Sequence, residues 1–144
     1  MKNRFTLVFL SLSGLLLLAI GGTILLAPHA LHATNGIALG NDPSLLSEIR
    51  APGGLLTASA VLILIGAFRR PLRFLATVLT VLVYGSFGLA RLLGVVLDGV
   101  PSSGLVGSTT IELIVAAIGI RLIRRPGSAP NRSSHELTTA TAVR

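Results

Sequence analysis

Residues 74–97 read FLATVLTVLVYGSFGLARLLGVVL, and residues 105–123 read LVGSTTIELIVAAIGIRLI. Both stretches are apolar almost throughout, with one charge well inside each: Arg91 in the first and Glu112 in the second. Neither shows the alternation of a half-buried strand, and each approaches the roughly 20 apolar residues that a helix needs to cross a bilayer. Between them stands Asp98-Gly99-Val100-Pro101-Ser102-Ser103-Gly104, a run dominated by turn-forming residues. So short a connection predicts two antiparallel membrane helices lying side by side. This pair decides the fold.

The rest of the chain extends the same pattern. Residues 5–27 form an uncharged apolar run preceded by Lys2 and Arg4. That arrangement resembles a secretory signal, but its core of about 23 residues exceeds the usual 7–15, so a retained membrane helix is expected. Asp42-Pro43 reads as an N-cap followed by proline at the first helical position. A helix over about 44–68 follows, with a kink or break expected at Pro52-Gly53-Gly54. The predicted fold is all-α: a four-helix transmembrane bundle over residues 1–125, with helices at about 5–27, 44–68, 74–97 and 105–123. Residues 126–144, rich in Ser, Thr, Ala and Pro, read as a disordered tail.

Composition supports lipid as the main solvent. Of 144 residues, 51% are hydrophobic and only 12% charged, and the mean hydropathy is +0.83. A soluble domain of this size would be roughly a quarter charged. The absence of cysteine excludes disulfides, thiolate metal sites and thiol catalysis. The formal charge of +7 does not point to nucleic acid, because the basic residues flank the apolar runs. Lys2, Arg4, Arg69, Arg70, Arg73, Arg121, Arg124, Arg125 and Arg132 fall on one side, whereas Asp42, Glu48 and Asp98 fall on the other with Arg50. The positive-inside rule then predicts a multi-pass protein of the inner membrane with both termini cytoplasmic (N-in/C-in). Arg121, Arg124 and Arg125 would attract anionic headgroups, each by about 1 kcal/mol.

Charges inside spans are the informative residues, since each costs roughly 2.5–3.5 kcal/mol at mid-membrane. At 1.5 Å rise per residue, Arg91 and Glu112 both lie about 10 Å below the outer edge, so an ion pair between them is expected. Tyr84 and Asp98 share the helical face of Arg91, and Ser108 shares that of Glu112. With Glu48 and Arg50 near the outer end of the second predicted helix, the acidic and basic groups of the outer half form one expected cluster: Glu48, Arg50, Arg91, Asp98 and Glu112. One reading is a structural clamp that fixes helix register. The other is a polar pocket that binds a small polar or anionic ligand, or relays a proton. Tyr84 and Ser108 would line it. His29 and His32 have i, i+3 spacing but no assignable third ligand, so no metal site is expected. No catalytic residue, phosphate loop or dinucleotide fingerprint is recognisable, and no cofactor is evident. An accessory or ligand-binding role, with a membrane-protein partner as a further option, ranks above an enzymatic one.

Glu48-Ile49-Arg50-Ala51-Pro52-Gly53-Gly54, Gly88-Leu89-Ala90-Arg91-Leu92, Leu97-Asp98-Gly99-Val100-Pro101-Ser102 and Glu112 together resemble the domain-of-unknown-function 4345 family, small bacterial four-helix membrane proteins. The similarity covers roughly residues 5–125. It implies the fold and the membrane location, and it gives Arg91 and Asp98 first place among functional candidates. The layout is in turn similar to the wider DoxX/DoxD-like group, some members of which are linked to quinone-coupled redox systems. That similarity implies, as the alternative function, a quinone-linked redox or a solute or proton transport component.

Overall fold

The computed structural model describes residues 2–124. The expected disordered tail at 126–144 lies outside them. Five α-helices follow in order: α1 (Lys2–Leu26), α2 (Pro28–Thr34), α3 (Pro43–Phe68), α4 (Arg73–Asp98) and α5 (Ser103–Arg124). A 3-10 turn, Arg70–Leu72, leads into α4, and there is no strand among the described residues. Four segments are long and apolar enough to cross a membrane: Arg4–Leu26, Pro43–Phe68, Arg70–Asp98 and Ser103–Arg124. Over the most apolar 18 residues of each, the mean hydropathy is 2.3, 1.9, 1.8 and 1.7. These are the lengths and composition of a multi-pass membrane protein.

Local chemistry sets the helix ends. The Asp42 carboxylate accepts from the Leu45 backbone N–H at 2.8 Å, and Pro43 follows at the first helical position. Gly99 ends α4 at φ +97°, a left-handed conformation that a side chain would disfavour, and its N–H returns to the Val95 carbonyl. The sequence suggests a kink or break at Pro52-Gly53-Gly54; α3 stays helical through all three residues, so the helix is not broken there. Proline removes only one intrahelical donor, and Gly53 after it is used for packing. Gly53 is buried against α1, where an added Cβ would stand 2.6 Å from Ile24 Cγ2.

The bundle consists of two antiparallel hairpins, α1 with α3 and α4 with α5. They are joined where α3 passes into α4, and α1 also meets α4. Leu10, Leu17, Leu56, Ala60, Ile63, Ala76, Val83 and Ala116 form the core, together with buried Ser13, Ser59, Thr77 and Thr80. Large apolar side chains such as Leu12 (64% exposed) and Leu82 (63%) point outward instead. This is the pattern of helices that meet through small residues and offer their bulk to lipid. At Gly21 an added Cβ would stand 2.8 Å from the Thr57 backbone nitrogen, so the α1 and α3 main chains are nearly touching.

Adjacent Gly22 has nothing within 4 Å of such a Cβ. Gly21→Ala should therefore destabilise the bundle by about 1–3 kcal/mol through overpacking against main chain. Gly22→Ala should be neutral or stabilising by up to about 1 kcal/mol, through helix propensity. Thermal unfolding of the two variants in one detergent checks the difference in sign.

Candidate functional site

The turn between α4 and α5 sets Arg91 and Glu112 at the same depth on neighbouring helices. Below them the helices come close at Gly88, where an added Cβ would lie 2.8 Å from Leu113 Cδ2 and 3.4 Å from Glu112 Cβ. That approach lets the two charged side chains meet. Arg91 Nε donates to Glu112 Oε1 at 3.2 Å and lies 3.2 Å from Oε2 as well. The pair is neutral overall, as its depth in an apolar bundle requires.

The contact is incomplete. Arginine usually meets carboxylate as a bidentate fork, with two parallel N–H···O bonds. Here Nε alone is engaged, and neither terminal amino group of Arg91 has a partner among the described residues. Glu112 Oε2 is buried and accepts no hydrogen bond from them. The Arg91 side chain is 33% exposed and that of Glu112 14%, so arginine is the more accessible member of the pair.

A cavity of about 260 Å³ lies between the two hairpins in the half of the bundle that holds this pair. Leu17, Ile20 and Ile24 of α1, Leu56 of α3, and Val83 and Phe87 of α4 make its walls apolar. Arg91, Ser108, His32 and Asn35 add polar groups. Helix α2 and its C-terminal turn contribute Leu31, His32, Asn35 and Ile37, and so close one end. His32 Nδ1 lies 2.8 Å from the Pro28 carbonyl, which can only accept, so Nδ1 carries a proton. In the neutral ring Nε2 is then an acceptor. Asn35 donates to the Leu31 carbonyl and Ser108 to the Gly104 carbonyl, each anchoring a cavity side chain to its own helix turn.

A second cavity, of about 210 Å³, is bounded by Gly94, Val95, Asp98, Gly99, Pro101 and Thr109, and again by Arg91 and Leu105. Arg91 thus lines both spaces, and Asp98 shares the second with it. Tyr84 lines neither; its buried hydroxyl donates to the Ser13 carbonyl at 2.6 Å, joining α4 to α1. Glu48 and Arg50 are exposed on α3 and line neither space. Arg50 Nε instead donates to the Leu25 carbonyl at 3.1 Å, capping the C-terminal end of α1. The expected five-residue cluster is therefore divided between α1's end and the Arg91 cavities. The residues missed in sequence are Asn35, Phe87 and the cavity role of His32. Pro28 at a helix start and Asn35-Gly36 at a helix stop were the signal for α2.

The family model described as Domain of unknown function (DUF4345) matches residues 5–122. The chain belongs to this family. No curated protein and no solved structure matches it. In this DUF4345 chain the matched segment contains α2, the Arg91–Glu112 pair and every residue of both cavities.

Removing one member of the pair exposes its incompleteness. Arg91→Ala should destabilise the fold by about 2 kcal/mol, at the low side for a buried pair because Arg91 is one-third exposed. The double variant Arg91→Ala/Glu112→Ala should recover most of that loss, since no lone carboxylate then remains in the bundle. A double-mutant cycle on melting in detergent measures the coupling.

Proposed function

We propose that this protein is a multi-pass inner-membrane protein that binds a small ligand with an apolar body and a hydrogen-bond-accepting head. The head lies against the terminal amino groups of Arg91, and the body fills the space between the hairpins. One observation carries this reading: a cationic donor group without a partner among the described residues stands on the wall of a mostly apolar cavity. A clamp alone would use the guanidinium fork on Glu112, and this pair does not. Because Glu112 already offsets the charge of Arg91, the head can be a carbonyl or hydroxyl as readily as a carboxylate. At about 260 Å³ the cavity is smaller than the roughly 300–1,000 Å³ of drug-sized sites. It suits a compact molecule or the head of a longer amphiphile. Non-enzymatic binding, as an accessory protein, is the leading role.

A redox or proton-transfer role is the second reading, favoured by His32. Its Nε2 acceptor and the Arg91 donors belong to one cavity, a combination that could hold a quinone carbonyl and take a hydroxyl proton. The orientation proposed is both termini in the cytoplasm. Arg4, Arg69, Arg70, Arg73, Arg121 and Arg124 belong to one end of the bundle, and Asp42, Glu48 and Asp98 to the other.

Native mass spectrometry of the purified chain should show a small-molecule adduct that is absent from Arg91→Ala/Glu112→Ala. That double variant keeps the fold but lacks the donors, so retention of the adduct would refute the assignment. The mass and redox spectrum of the released molecule separate a quinone from other amphiphiles. Reporter fusions should place both termini in the cytoplasm; activity of a periplasm-specific reporter at either one would reverse the orientation.

A further inference from the structure

At the opposite end of the bundle, the charges are all of one sign. The acidic residues of the described chain, Asp42, Glu48, Asp98 and Glu112, belong to the other half. Residues 125–144 add three arginines and one glutamate, so they bring no net counter-charge. Arg70 and Arg73 line a cavity of about 390 Å³ together with Thr6, Phe74, Thr77 and Leu122. Arg73 Nε is held by the Ala67 carbonyl at 3.1 Å, which fixes that side chain across the end of α3. The Arg70 side chain has no hydrogen bond or ion pair among the described residues. The α4 helix starts beside it with no side chain capping its N-terminus, so the positive end of its dipole adds to the arginines.

A second space, of about 240 Å³, shares Leu122 with the first and is lined by Phe5, Ile118 and Arg121. Ile118 lies about one helical turn from Leu122, further from the arginine-rich end. A basic recess therefore stands next to one lined by three apolar side chains and Arg121. We infer that this pair of recesses is a binding site for an anionic phospholipid, with its phosphodiester between Arg70 and Arg73 and an acyl chain along Phe5 and Ile118. The requirement is chemical: phosphate oxygens suit guanidinium donors, and basic pockets between membrane helices at this level select charged headgroups. The site is independent of the Arg91 cavity and stands or falls without it.

The test uses the full chain in detergent micelles, titrated with phosphatidylglycerol, with phosphatidylcholine of the same acyl chains, and with inorganic phosphate. Binding is read from native mass spectrometry and from the rise in melting temperature. Phosphatidylglycerol should bind and raise the melting temperature, and the other two should do neither. Arg70→Gln/Arg73→Gln should weaken phosphatidylglycerol binding about tenfold or more. Arg69→Gln/Arg124→Gln removes the same charge from residues outside both recesses, and should change binding by less than about threefold. Equal losses in the two double variants would show attraction by bulk charge and overturn the site. Equal binding of the two lipids would also overturn it, and so would saturation by inorganic phosphate alone. A photoreactive phosphatidylglycerol on the unaltered chain gives a reading that needs no variant to fold. Labelling within 5–6, 70–77 and 118–123 supports the site, and labelling elsewhere refutes it.

Discussion

A charge in hydrocarbon needs its opposite close by, and the half of this bundle that holds Arg91 and Glu112 is organised around that need. Arg91 and Glu112 stand on α4 and α5, which are joined by a turn too short to let one slide far past the other. Their contact at 3.2 Å fixes the register of the hairpin, and the close approach at Gly88 makes the contact reachable. The second hairpin is held to the first by a different bond, from the Tyr84 hydroxyl to the Ser13 carbonyl. A main-chain carbonyl inside α1 already has its helical partner, so this extra acceptance uses its second lone pair. The two hairpins are thus linked by a polar contact in the core, while the cavity separates them beside Arg91.

The four long helices are legible in sequence because length and hydropathy alone settle them. The meeting of Arg91 with Glu112 is legible because a short turn converts sequence separation into equal depth. Rotation about the helix axis is not legible in the same way. In α1 and α3 apolar residues occur on every face, so hydrophobicity does not identify the inward one. The inward face is marked instead by Ser13, Gly21, Gly53 and Ser59, small residues whose value depends on what lies opposite. This is why depth alone groups Glu48 and Arg50 with Arg91, although Arg50 bonds the end of α1 and Glu48 lines neither cavity. It is also why Pro52-Gly53-Gly54 suggests a kink or break in sequence and does not reveal that Gly53 provides room for Ile24 in an unbroken helix.

The cavity shows a further limit of reading by spans. Its end wall comes from α2 and the turn after it, a stretch too short to span a membrane, and nothing in the spacing of His29 and His32 shows what they face. Only the folded chain brings His32 and Asn35 over residues of α4 and α5. Apolar walls with a few fixed polar groups are what binding sites generally present. This one has its polar groups anchored in advance: His32 on Pro28, Asn35 on Leu31 and Ser108 on Gly104.

The turn closed by Gly99 also bears on how the chain enters the membrane. Alone, α4 would carry an arginine into lipid and α5 a glutamate, each against a barrier of roughly 2.5–3.5 kcal/mol. Folded first as a hairpin, they enter with the two charges cancelled. Arg91 and Glu112 are 21 positions apart, so they emerge in quick succession during synthesis. The short turn thus makes α4 and α5 a single unit of insertion, and neither helix needs to cross the bilayer with its charge uncovered.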